Sequence, residues 1–311
     1  MLDQFQITSI AAVIGGSMGG MHVLEWPLCT PAGYVRNIVP LSTSAAQSAW
    51  CIAWAETQRQ CIHADPNFRG GRYTDDARPT AGLAAARSCA MLTYRSRESF
   101  ERRFGRRVQP ADPAGKKLRT RKDPTIMTPP PSPPNTNIRL DGASPLAPPP
   151  PPQTIFSAQS YLRYQGQKFI TRFDANCYIH ITHKMDNHDI SRDRAVLDTD
   201  TDAIASVLSS LPPTLTISIS SDGLFPVIEQ ALLAEHIPEA EHVILDSPEG
   251  HDGFLLEFER MNEVIEEFLR RQVPEVYLKL EEEQEGEVEG FEVKKTSVFG
   301  EAETADDFVE L

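Results

Sequence analysis

The stretch "AAVIGGSMGGMHVLEWP", Ala11 to Pro27, constrains the fold more than any other in the chain. Ile10 to Ile14 is apolar and β-branched enough to be a fully buried strand, and Met18 to Leu28 reads as a helix closed by the turn chemistry of Pro27 and Pro31. Between them, Gly15-Gly16-Ser17-Met18-Gly19 matches G-x-S-x-G. A serine on a sharp strand-to-helix turn holds a strained backbone, and small residues two before and two after it let neighbouring backbone come close. Gly15 and Gly19 are expected to fill that need. Ser17 then sits at a helix N-terminus, where backbone N–H groups and the helix dipole favour developing negative charge. This is the layout of a nucleophile elbow. A plain Ser N-cap in a glycine turn fits the same five residues equally well, so the rest of the chain must decide.

The remaining strand signals lie far apart. Tyr34 to Leu41 reads as a second buried strand, after which Ala45 to Ala64, Thr80 to Tyr94, Ser99 to Phe104 and Ala158 to Met185 all carry helical spacing of apolar residues. Thr128 to Gln153 is a polyproline-prone stretch expected to loop out of this helical insertion. Alternation then returns: helix Asp202 to Leu211, strand Thr214 to Ser220, helix Pro226 to Glu235, strand His242 to Leu245, helix Leu256 to Arg270. That rhythm is α/β with a parallel sheet, whose ligands bind beyond the carboxyl ends of the strands, under the insertion as a lid.

Charge and cysteine content narrow the class. Of the formal net charge of −14, most falls in Glu275 to Leu311, which holds 13 acidic and 3 basic residues and reads as a disordered solubilising tail. The rest carries an ordinary charge for a soluble domain, and neither nucleic acid nor a membrane is expected as a partner. With 40% hydrophobic residues over 311 positions the chain can bury a substantial core. Cys29, Cys51, Cys61, Cys89 and Cys177 form no C-x-x-C pair, which argues for a reducing compartment, the cytoplasm, and against a zinc site. The closeness of His183, Asp186, His188 and Asp189 matches no metal motif, and no metal is expected.

A serine nucleophile needs a base, and the base an orienting carboxylate; on an α/β-hydrolase sheet they follow in the order Ser, Asp/Glu, His. "TISISSDGLFP" places Asp222 after one strand and "HVILDSPEGHDGF" places His251 after the next. Alone, Asp222 reads as an Asx-turn residue and His251 as an exposed loop histidine; in this order, each behind its own strand, they read as a triad with Ser17.

The segments "GGSMGGMHVLEWPL", "AGLAAARSCAMLTYRSRESFERRFGR", "QSYLRYQGQKFITRFDANCYIHITHKMDNHDISR", "SDGLF" and "EGHDGFLLEFE" resemble the fungal homoserine O-acetyltransferases, over about Ile7 to Arg270. The resemblance implies an α/β-hydrolase-type parallel sheet, of which this chain holds the C-terminal half, with a large helical lid. It implies acetyl transfer from acetyl-CoA, as co-substrate, to the hydroxyl of L-homoserine on the way to methionine, with no resident cofactor, and a homodimer built through the lid. By motif, Ser17 is the acyl-accepting nucleophile, Asp222 the orienter and His251 the base. Arg87 and Asp252 contact the amino-acid substrate, and Tyr94 is a weaker choice for the same pocket. The signs suit a zwitterion, since an arginine grips a carboxylate bidentately and a carboxylate meets an ammonium. Close relatives acetylate serine or deacetylcephalosporin C, and a non-catalytic paralogue kept as an interaction protein is the other alternative.

The expected organisation is residues 1–44 as the elbow part of the core, 45–200 as lid with a disordered loop at 128–153, 201–274 as the remaining core, and 275–311 as the tail. Only "MLDQFQITS" precedes the first strand, where such sheets place several strands and one of two oxyanion donors. On this reading the backbone N–H of Met18 is the oxyanion donor at hand, and residues 1–311 expressed alone are expected to be poorly soluble with trace activity.

Overall fold

The computed structural model describes residues 3–108 and 155–283. The loop expected at 128–153 and most of the acidic tail lie outside them. Among the described residues four strands form one parallel sheet in the order β1 (Val13–Gly16), β2 (Ile38–Leu41), β3 (Thr214–Ile219), β4 (Ala240–Leu245). Helix α1 (Met18–Leu28) joins β1 to β2, and α8 (Val227–His236) joins β3 to β4. The first strand is shorter and later than Ile10 to Ile14: Ile10 makes only an isolated bridge to Val35, and pairing resumes at Val13 with Ile38. The Asn37 side chain fills the gap by donating to the Ala11 carbonyl at 2.9 Å.

Apolar layers cover both faces of the sheet at its central strands β2 and β3, whereas Ile14 of β1 and Ile244 of β4 are exposed at the two edges, so the first strand is not the fully buried one its composition suggests. On one face, Val23 and Leu24 of α1 meet Val35, Ile38, Leu208, Leu233 and Ile237. On the other, Val39, Leu41, Leu215, Ile217 and Ile219 pack on Met261 and Phe268 of α10 (Phe258–Gln272). The "TLTISI" alternation of β3 looks like a half-exposed strand, yet all six residues are buried. Its polar face is satisfied internally: Ser218 donates to Gln230 Oε1 at 2.9 Å and accepts from His242 Nε2 at 2.7 Å, while Gln230 donates to the Thr43 carbonyl. A buried polar row of this kind is tolerated because each group finds a partner.

Between β2 and β3 lie α2 (Ala49–His63), α3 (Thr80–Tyr94), α4 (Arg97–Arg103), α5 (Ser157–Ile170), α6 (Ala175–Asp186) and α7 (Asp200–Leu208). The long helical stretch expected over Ala158 to Met185 is two helices, because Asp174 caps α6 by accepting from Cys177 N and is held by the Tyr73 hydroxyl at 2.6 Å. The lid core gathers Ile62, Leu83, Ala86, Phe169 and Tyr178, one or more from each of α2, α3, α5 and α6. Where α2 and α3 cross, Gly82 lies so near the Cys61 carbonyl that a Cβ there would be 2.7 Å from its oxygen. The insertion is pinched at its neck, where Gln47 N donates to the His188 carbonyl and Ile190 N to that of Ala45. A second, inner neck joins Val108 to Phe156, with Ser157 N bonded to the Arg107 carbonyl. Beyond α9 (Gly253–Leu256) and α10, α11 (Pro274–Glu283) continues the helix pattern into the segment expected as a disordered tail. Proline at its first position and Glu275 in its first turn favour that start, and Glu275 pairs with Arg36.

Candidate active site

Three loops at the carboxyl ends of the strands converge. The first is the turn from β1 into α1, where Ser17 has φ 56° and ψ −123°, a conformation few non-glycine residues adopt. Neighbouring contacts hold it: Ser17 N donates to the Leu41 carbonyl at 2.9 Å, and its own carbonyl accepts from Thr43 Oγ1 at 2.8 Å. As the first residue of α1, Met18 has a backbone N–H with no acceptor within the helix. The glycine requirement is distributed differently from the motif. A Cβ on Gly15 would press on the Gly19 carbonyl oxygen at 2.7 Å, and one on Gly20 on Thr43. Gly19 itself has nothing within 4 Å of such an atom, so its carbonyl, rather than its missing side chain, is the tight element. Gly16, an "x" of the motif, lies under the ring of Phe254.

The other two loops follow β3 and β4. His251 Nδ1 donates to Asp222 Oδ2 at 2.7 Å, with both side chains buried. The second oxygen, Asp222 Oδ1, accepts from the amides of Leu224 at 2.8 Å and Phe225 at 2.9 Å. That bond fixes the imidazole tautomer, leaving Nε2 as its acceptor. The rings of Phe225, Phe254 and Tyr94 stand 5.3, 5.2 and 6.4 Å from that of His251. Phe254 thereby touches both the elbow, at Gly16, and the base. The two loops are laced together by Ser221, whose Oγ donates to the Ser247 carbonyl and accepts from Gly250 N.

The lid supplies the remaining residues. Arg87, on α3, is buried with its guanidinium 4.8 Å from the Phe169 ring centre and 5.3 Å from that of Tyr94. Tyr94 thus bridges Arg87 and His251, bringing together residues that the sequence nominated separately. Asp252 is buried next to His251, and its carboxylate is ion-paired with Arg95 Nε at 2.8 Å. Sequence reasoning missed Arg95 and Glu249, which the chain prints beside the motif residues in "LTYRSRE" and "PEGHD". It expected the helix that is α2 but not its contacts to the Asp222 loop: Trp50 Nε1 donates to the Gly223 carbonyl at 2.9 Å, and the Cys51 thiol to that of Leu224 at 3.1 Å. Burial pushes that thiol up to about 11, so it stays a protonated donor. Among the described residues no group of histidine, cysteine and carboxylate side chains is placed to hold a metal ion. No helix among them is long and apolar enough to cross a membrane.

A serine on a strained strand-to-helix turn, with a buried carboxylate–imidazole pair behind the next strands of a parallel sheet, defines the class of alpha/beta hydrolases, and the model of the alpha/beta hydrolase fold family matches residues 1–258. Relatives narrow this. The homoserine O-acetyltransferase of Cryptococcus neoformans var. grubii is 44% identical over 394 residues, covering 97% of this chain and 73% of that protein. That of Saccharomyces cerevisiae is 44% identical over 343 residues, covering 97% and 69%. The chain belongs to the alpha/beta hydrolase fold family and, within it, to the homoserine O-acetyltransferase family of acyltransferases. The fold agrees with the crystal structures of a homoserine O-acetyltransferase from Bacillus anthracis (TM-score 0.66, 19% identity, covering 88% of this chain and 63% of that one) and of esterase E22 (0.64, 19%, 86% and 63%). The chain therefore spans about two thirds of the length of its relatives.

Proposed function

We propose that this chain transfers acetyl from acetyl-CoA to the hydroxyl of L-homoserine, through an acetyl-serine intermediate, as a step toward methionine. The observation that carries the reading is the buried 2.7 Å bond between His251 and Asp222, joined to the Ser17 elbow through Phe254. His251 Nε2 takes the Ser17 proton as Oγ attacks the thioester carbon; the C–S bond breaks, and the proton passes to the CoA sulfur. The homoserine hydroxyl then attacks the acetyl-enzyme, giving its proton to His251, which returns it to Ser17. The Met18 N–H faces the oxyanion. Arg87 takes the carboxylate of homoserine, Tyr94 lines its pocket, and Asp252 helps to place its ammonium. The scheme uses serine, imidazole and carboxylate, with acetyl-CoA as co-substrate and no resident cofactor. A cytoplasmic homodimer built through the lid completes the proposal.

The test is CoA release from acetyl-CoA with and without L-homoserine. Acceptor-dependent release is expected, with loss on the order of 10⁴ to 10⁶ in kcat for Ser17→Ala in the intact enzyme, as for triads that act as a unit. Release indifferent to homoserine, or undiminished in Ser17→Ala, would refute the assignment.

A further inference from the structure

The turn that carries His251 is held by the lid at several points. Arg95, between α3 and α4, is buried, and its guanidinium meets carboxylates on both sides of His251: Nη1 lies 2.5 Å from Glu249 Oε2, and Nε 2.8 Å from Asp252 Oδ2. Glu249 also accepts from Ser99 Oγ at 2.7 Å and pairs with Arg102. Ser96, the N-cap of α4, donates its hydroxyl to the Pro248 carbonyl. Gly250 has φ +70° and lies against the backbone of this junction, where a Cβ would be 2.7 Å from the Arg95 carbonyl carbon. The lid and the base loop are thus in backbone contact and tied by a cluster of two cations and two anions.

Burial opposes the charge on Glu249, but the Ser99 hydroxyl and the two arginines outweigh it and hold its carboxyl below the usual range. A charge cluster of this kind is weak evidence for stability, because desolvation offsets most of its attraction. Its geometric effect is stronger. The guanidinium donates to Glu249 through Nη1 and lies in ion-pair contact with Asp252 through Nε, so one rigid group holds the residues two before and one after His251, at the two ends of the short 3-10 turn Gly250–Asp252. The Asp222 bond sets the ring's tautomer and the Ser221 bond to Gly250 N holds the start of the turn from the sheet side; the Arg95 contacts hold it from the lid side, at both flanks of His251.

We propose that Arg95 and Glu249 are positioning residues that act through His251, so that the lid sets where the base stands relative to Ser17. The proposal rests on the triad reading above and adds that its geometry depends on a lid contact 154 residues away in sequence. A displacement of about 1 Å at a reacting group is enough to lower a rate about 10²-fold.

The experiment uses the full chain with p-nitrophenyl acetate, an acetyl donor that makes no demand on the acceptor pocket, and measures kcat and KM separately. Glu249→Gln is expected to lower kcat about 10- to 100-fold with KM within about two-fold, and Arg95→Lys, which keeps the charge but not the fork, to fall in between. The downfield proton resonance of His251 Nδ1, identified by its loss in His251→Ala, is expected to shift or broaden in Glu249→Gln, a change that general loss of stability does not produce. Ser99→Ala removes one bond to Glu249 and keeps all four charges, and serves if Glu249→Gln fails to fold; it should give a smaller fall in kcat with the same perturbation of the resonance. Wild-type kcat with an unmoved resonance in whichever of these variants folds overturns the proposal. Ser17→Ala separates the two levels: turnover surviving in it overturns the triad reading and the clamp together, whereas turnover lost there and intact in Glu249→Gln overturns the clamp alone.

Discussion

Gly16→Ala tests the structure where the motif is silent. A Cβ at this position would lie 2.7 Å from Phe254 Cδ2 and 3.0 Å from Cζ, whereas carbon atoms in contact rest about 3.5 to 4.0 Å apart, so the ring must retreat by about 1 Å. Overpacking of this size costs about 1–3 kcal/mol, or about 2–4 °C of melting temperature for each kcal/mol in a chain of this size. Phe254 is only partly buried and packs on the β3 and α10 layer, which places the cost toward the lower end. The ring also stands 5.2 Å from His251, so the displacement reaches the base, and a fall on the order of 10² in kcat is expected. Thermal melting by circular dichroism and initial rates of CoA release measure the two effects. Gly16→Ala combined with Phe254→Leu should recover part of both, and Gly19→Ala, with open space at its Cβ, should be neutral or slightly stabilising. Wild-type melting and turnover in Gly16→Ala, or equal damage from Gly19→Ala, would refute the reasoning.

Two further outcomes are expected. Arg87→Ala should raise the KM for homoserine and leave CoA release in the acetylation half-reaction nearly intact, as pre-steady-state kinetics would show; equal loss in both halves would make Arg87 a packing residue. Burial holds the His188 imidazole below its ordinary 6.5, while its Nε2 donates to the Ser44 carbonyl at 3.1 Å. The unfolded chain therefore binds a proton at a pH where the folded chain does not, and stability falls as pH drops below about 6.5. His188→Gln, which keeps a donor for Ser44, should flatten part of that slope in denaturant titrations between about pH 7 and pH 5; an unchanged slope would refute the assignment.

The sequence was most legible where local signals and burial agree. Helices α1 and α3 begin and end where the pattern puts them, because Ser17 and Pro79 end the preceding chain and the apolar stripe of each faces a packed neighbour. Asp222 and His251 were legible because each follows its own strand, and the structure brings them into hydrogen-bond contact. The break between α5 and α6 was not, since the bond that reinforces the Asp174 cap comes from Tyr73, 101 residues away. The same holds for Arg95 and Glu249, whose contact spans 154 residues of sequence and exists only once the fold brings lid and base loop together. The polar alternation of β3 carries no local sign of its burial: Thr216 and Ser218 are enclosed because α8 packs on that face and Gln230 and His242 meet Ser218.

The two necks have a consequence for how this architecture can vary. Ala45 to Gln47 is stitched to His188 to Ile190, and Arg107 and Val108 to Phe156 and Ser157, so each excursion of the chain departs and returns at nearly one point. The added entropy of a longer excursion grows only logarithmically, about 0.6 kcal/mol for each doubling of a flexible loop. Length can therefore be gained or lost between the inner pair of anchors without moving either end. A change of length there would leave the sheet and its three converging loops in register.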